Sequence, residues 1–177
     1  MDALGNMEIY TVNDISGLPD GERAELIDGK IYGMAPPSTK HQRLVHFFDR
    51  VIGNDIQSKH RACERFPAPF AVFLNENDKN YVEPDISIIC DKNKITDKGC
   101  NGAPDWVLEI VSPSSKQMDY FKKLFMYRTA GVREYWVVDP ERNLVTVYDF
   151  EKDSMEEYSF DKYVPVGIYE GFSVKIE

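Results

Sequence analysis

Two short apolar runs, Glu83-Pro84-Asp85-Ile86-Ser87-Ile88-Ile89 and Asp105-Trp106-Val107-Leu108-Glu109-Ile110-Val111, each carry a carboxylate where a strand would be half buried. No other feature of the chain limits its fold more. β-Branched and aromatic residues favour strands, whereas Asp and Glu are depleted there. A buried carboxylate needs a partner, a proton or a metal, because desolvating a lone ion is too costly. Two of them in adjacent sheet positions repel unless a cation lies between them. Asp85 and Glu109 are therefore expected to meet around a cation, and a divalent metal is the candidate.

Strand and helix signals alternate around these runs. Thr11 can cap a short helix to Ile15, closed by the turn Gly17-Leu18-Pro19-Asp20-Gly21. Asp28-Gly29 between Ala24–Ile27 and Lys30–Met34 is a two-residue hairpin signal. Pro36-Pro37-Ser38 then starts a helix from Thr39 to Ser58, whose Leu44, Val45, Phe48, Ile52 and Ile56 recur at helical spacing. Ala68–Leu74 reads as a strand, followed by the two acid-bearing strands. Ser114 or Ser115 caps a second helix reaching Ala130, with Gly131 as its C-terminal residue. Glu134–Val138, Leu144–Asp149, Glu156–Phe160 and Phe172–Ile176 supply further strands. The expected architecture is α/β (or α+β), a mixed sheet with one main helix on either side of its central strands. At 177 residues the chain fits one domain, taken as residues 1–177.

Composition excludes several classes. No apolar run nears the roughly 18–20 residues of a membrane span. Met1–Tyr10 holds two acids and no basic cluster, unlike a secretory signal, so a cytoplasmic location is expected. Cys63, Cys90 and Cys100 form no CxxC pair and read as reduced thiols. The net charge of −9 offers no general basic field for nucleic acid. Residues 112–135 run against that balance, with five cations against two acids, while acids gather at 76–78 and 149–161.

Strand parity sets Glu83, Asp85 and Ser87 on one face and Val107, Glu109 and Val111 on another. If these faces coincide, Asp85 and Glu109, with Glu83 beside them, suit Mg²⁺ or Mn²⁺. Asp119, Lys123 and Tyr127 share a helical stripe. Lys123 could serve the carboxylates or form a surface pair with Asp119, and Lys122 competes with it. His41, in the first turn of the first helix, is either a base or substrate contact, or a solvated residue. No histidine spacing fits zinc, and no GxGxxG, P-loop or GxSxG is present.

Taken in order, Glu109-Ile110-Val111-Ser112-Pro113-Ser114, then Asp119, Lys123, Tyr127 and Gly131-Val132-Arg133-Glu134-Tyr135-Trp136-Val137-Val138-Asp139-Pro140, resemble the Uma-type family of putative restriction endonucleases. That family lies within the PD-(D/E)XK nuclease superfamily. Glu25–Ile31 and Pro36-Pro37-Ser38 with His41 resemble its hairpin and first helix. The resemblance implies a restriction-endonuclease-like αβββαβ core over about residues 39–140. It matches Pro84-Asp85 to the PD element and Glu109 to the acid of the second element. Val111 stands where that element's lysine is usual, and Lys123 matches the position from which this family supplies it. The resemblance thus implies Asp85 and Glu109 as metal ligands with the Ile110 carbonyl, and Lys123 as catalytic, with His41, Glu83 and Tyr127 accessory. The implied activity is Mg²⁺- or Mn²⁺-dependent cleavage of DNA, with homodimerisation suited to cutting both strands. A nuclease-fold module that binds without cutting, and a hydrolase of a small nucleotide or phosphate ester, are the alternatives.

Overall fold

The computed structural model describes residues 8–75 and 77–176. Residues 1–7, which carry most of the expectation about a missing signal sequence, lie outside the described residues, as does Glu76 of the acidic stretch. The fold is a mixed α+β arrangement with two six-stranded sheets, a two-stranded sheet and few helices.

The chain opens with the short helix α1 (Val12–Ser16) and the hairpin of β1 (Ala24–Ile27) and β2 (Lys30–Gly33). Asp28 and Gly29 take φ of 50° and 74°, the paired positive values a tight two-residue turn demands. The long helix α2 (Thr39–Ser58) follows, as its periodicity predicts. The strand expected over 68–74 is replaced by β3 (Glu64–Pro67) and β4 (Val72–Phe73), which belong to different sheets. Pro67 and Pro69 lack the N–H groups a continuous ladder would use.

Next come β5 (Tyr81–Val82), β6 (Ile86–Ile89), β7 (Ile95–Thr96), β8 (Gly99–Asn101) and β9 (Trp106–Ile110). The second helix is not uniform. A wide π-helical segment, Met118–Lys123, runs into α3 (Leu124–Ala130), and Gly131 closes it at φ 95°. Then follow β10 (Glu134–Asp139), β11 (Leu144–Asp149), β12 (Ser154–Ser159), β13 (Val164–Pro165) and β14 (Ser173–Val174).

One sheet has the order β2-β1-β5-β4-β8-β7, the other β12-β11-β10-β9-β6-β3. The pair β9–β10 is parallel and sits at the centre of the second sheet, with β6 antiparallel on the far side of β9. Alternation along β9 sorts its residues between two cores. Trp106, Leu108 and Ile110 pack with Phe48 and Ile52 of α2. Val107 and Val111 pack with Tyr127 and Met126 of α3 and with Val72 and Val82 of the first sheet. Glu109 points to this second side, so a carboxylate enters an otherwise apolar layer.

Cys63 and Cys90, expected as reduced thiols, are joined by a disulfide, and Cys100 is free and buried. The register of β3 on β6, which pairs Glu64 with Ile89, brings the two cysteines opposite one another. Among the described residues, no helix is long and apolar enough to cross a membrane.

Candidate active site

Antiparallel pairing of β6 with β9 aligns Ile86 with Leu108, so Asp85 and Glu109 arrive side by side. The Asp85 N–H reaches Glu109 Oε2 at 3.4 Å. Asp85 Oδ2 accepts from the Ile110 N–H at 2.7 Å and faces His41 Nε2 at 3.0 Å. His41 is held there by its helix start, because Ser38 Oγ accepts from the His41 N–H at 3.2 Å. His41 Nδ1 is buried without a hydrogen-bond partner.

The wide turn of Met118–Lys123 presents Asp119 and Lys123 inward, both buried, while α3 brings Tyr127 beneath them. The Lys123 ammonium lies 2.9 Å from Glu109 Oε1, 2.8 Å from Glu25 Oε2 and 3.6 Å from Asp119 Oδ1. The Tyr127 hydroxyl donates to the same Glu109 Oε1 at 2.8 Å. Lys123 is thus no surface partner of Asp119. Lys122, its competitor, turns outward and donates to the Tyr32 hydroxyl at 2.6 Å.

Of the residues singled out in the sequence, Asp85, Glu109, Lys123, Tyr127 and His41 come together. Glu83 turns aside: its carboxylate accepts from Tyr81 and Arg23, and its N–H donates to Glu25 Oε1 at 3.1 Å. Pro84 separates it from Asp85 ahead of β6, and regular alternation does not hold there. Glu25 is the member that sequence reasoning missed. Its signal is the one Glu109 gives, an acid inside the apolar run Ala24–Ile27, all four residues of which are buried.

Four carboxylates, from Glu25, Asp85, Glu109 and Asp119, thus surround one ammonium and one imidazole. Burial raises the Glu109 pKa well above the carboxylate range; Lys123 opposes this, while Asp119, Asp85 and Glu25 reinforce it. Burial likewise raises Asp119. For Lys123, burial alone would depress the pKa, but Glu109, Glu25 and Asp119 together lift it well above the lysine value. Lys123 is a fixed positive charge rather than a proton acceptor. Burial and Glu109 push the Tyr127 hydroxyl up, so it stays a donor. His41 is raised despite burial, because Asp85 and the Ile110 carbonyl favour the imidazolium.

The crowding of carboxyl groups in a buried site is what a divalent cation would relieve. Asp85 Oδ1 accepts no hydrogen bond among the described residues, and Glu109 Oε2 receives only the long contact from the Asp85 N–H. Both are hard oxygens of the kind that suits Mg²⁺ or Mn²⁺. Among the described residues, no three His, Cys, Asp or Glu side chains converge as a metal cluster. A cation here would therefore rest on no more than two of these side chains.

Comparison with known proteins supplies a family model, a sequence relative and a structural neighbour. The model of a family described as Uma2, putative restriction endonuclease, matches residues 10–174. A relative in Synechocystis sp., described as the uncharacterized protein sll1609, is 29% identical over 121 residues, 67% of each chain. A crystal structure of a putative nuclease belonging to DUF820 from Anabaena variabilis superposes with a TM-score of 0.74, at 25% identity, over 90% of both chains.

Proposed function

The chain belongs to the Uma2 family of putative restriction endonucleases, and on that premise we propose that it is a metal-dependent phosphodiesterase that cleaves DNA. The observation that supports this reading most is the contact of Lys123 Nζ with Glu109 Oε1 at 2.9 Å, beside Asp85. The lysine usual two residues after the second acid is absent, since Val111 stands there. An ammonium delivered from the following helix occupies the same neighbourhood, and reach in space matters rather than chain order.

Asp85, Glu109 and the Ile110 carbonyl would hold Mg²⁺ or Mn²⁺. Such an ion, when bound, polarises the phosphate and acidifies a bound water. Lys123 keeps its charge in the buried site and stabilises the negative charge that develops on the phosphoryl oxygens. Tyr127 and Glu25 hold Lys123 and Glu109 at fixed positions. His41 fixes Asp85 by its Nε2 contact.

Cleavage of duplex and single-stranded DNA with Mg²⁺, with Mn²⁺ and with EDTA tests the proposal. Asp85→Ala and Glu109→Ala are each expected to abolish cleavage with unchanged far-ultraviolet circular dichroism. Undiminished cleavage in both variants, or full activity in EDTA, sinks it. The saturation of Glu109 Oε1 by Lys123 and Tyr127 favours a second reading, a module that binds without cutting. Calorimetric titration with Mg²⁺ or Mn²⁺ separates the two, since a binding-only module takes up no metal at Asp85 and Glu109.

A further inference from the structure

Two exposed phenylalanines have no part in the carboxylate cluster. Phe121 and Phe125 are 70% and 71% exposed, on the same helical segment that sends Lys123 inward. Together they line a groove of about 400 Å³ whose opposite wall is the β1–β2 hairpin, with Ile27, Lys30 and Tyr32. Lys122 spans it, its ammonium 4.9 Å from the Tyr32 ring centre. Phe121 also borders a second groove of about 560 Å³, where Lys116, Arg142, Tyr120 and Tyr148 stand. Rings and cations thus share one strip of a chain whose net charge is −9. Asp28 is the only acid lining either groove among the described residues. The strip adjoins the candidate site, because Tyr32 is the register partner of Glu25 and Lys122 the neighbour of Lys123.

We infer that this strip binds single-stranded DNA, with unpaired bases stacked on Phe121 and Phe125 and phosphates against Lys30 and Lys122. The inference rests on the reading that the chain acts on DNA and narrows that substrate to an unpaired strand. Charge selects the occupant. Duplex binding draws much of its affinity from many neutralised phosphates, which four cations on an acidic chain supply poorly. Stacking depends on free rings and accessible base faces, and gains about tenfold or more in affinity per base. A second copy docked on the same strip by a two-fold axis would bring the cations Lys30, Lys122 and Arg142 up to those of the other copy, like charge near like.

Fluorescence anisotropy of a labelled oligodeoxythymidine, and of a duplex of equal length, tests this in EDTA so that cleavage does not intervene. The wild-type chain is expected to prefer the single strand by about tenfold or more. Phe121→Ala with Phe125→Ala removes that preference, and Lys30→Ala or Lys122→Ala lowers the slope of log affinity against log salt by about 0.7 each. A Phe121→Trp reporter is expected to be quenched by the oligonucleotide, as stacking requires. Equal affinity for strand and duplex, or an undiminished affinity in the double-alanine variant, overturns the inference. So does a double-alanine variant that changes only the sedimentation coefficient. Strand binding that depends on the two rings, in a wild-type chain that never cleaves with Mg²⁺, supports the strip and removes only the phosphodiesterase reading.

Discussion

Lys123 Nζ lies 2.8 Å from Glu25 Oε2, although 98 residues separate them in the chain. The ammonium ties the N-terminal hairpin to the helix behind the central strands, and three buried carboxylates depend on it. Removing one partner of a buried ionic group leaves the others without compensation. Lys123→Ala is expected to cost about 3–5 kcal/mol at neutral pH. Urea denaturation measures the loss. Added Mg²⁺ is expected to restore part of it, since a ligand of the folded state alone stabilises that state. A loss near zero would show that the cluster is protonated and neutral without the ammonium.

Tyr127 gives Glu109 its second donor at 2.8 Å. Tyr127→Phe keeps the ring and deletes that one bond to a buried carboxylate. The expected loss is about 1.5–3 kcal/mol, the range for a hydrogen bond to a charged group. Cleavage is expected to fall in kcat with KM little changed, because the hydroxyl fixes Glu109 and touches no substrate. Single-turnover rates on saturating DNA check the second part.

Phe48 sits at the contact between α2 and the second sheet, fully buried, with its ring 6.3 Å from that of Trp136 in an edge-on arrangement. Trp136 in turn lies 4.9 Å from Trp106. Phe48→Ala opens a cavity among rings that cannot collapse into it, and about 3–5 kcal/mol of stability should go with it. The midpoint of urea denaturation, at unchanged slope, is the measurement.

Asp139 and Lys116 yield a pH dependence. Burial would raise the Asp139 pKa, but the Lys116 ammonium at 2.7 Å and the Arg142 and Glu141 N–H groups outweigh it and hold the pKa below its ordinary value of 3.8. A carboxyl whose folded pKa lies below the unfolded one binds fewer protons when folded. Its contribution is fully present above the unfolded pKa and is lost as pH falls through the folded one. Acid unfolding of the wild-type chain should therefore steepen below about pH 4, the ordinary Asp range. Asp139→Asn is expected to be less stable at neutral pH and to lose less on acidification. Parallel urea curves at several acid pH values decide it, and identical pH slopes for both proteins would refute the assignment.

Much of the cluster was legible in the sequence because its members break local rules. Acids inside the runs around Asp85 and Glu109 contradict strand composition, and Lys123 with Tyr127 follows a helical stripe. Glu25 breaks the same rule in a run of only four residues. Its burial depends on a helix and strands far away in the chain. Two-residue strands such as Val72–Phe73 and Tyr81–Val82 carry no periodicity of their own. They exist because neighbours offer hydrogen bonds. The wide segment Met118–Lys123 is equally silent, since its sequence also suits an ordinary helix. The bond between Cys63 and Cys90 follows from the register of β3 on β6, which no spacing reveals.

Because Glu25 arrives on the hairpin closed by Asp28 and Gly29, its cluster is finished only when early and late parts of the chain have met. A chain made only as far as Glu109 holds Asp85 and Glu109 with no Lys123 to balance them. Folding then acts as an interlock: whatever reaction these groups perform stays disarmed until the hairpin has docked against the helix that carries Lys123 and Tyr127.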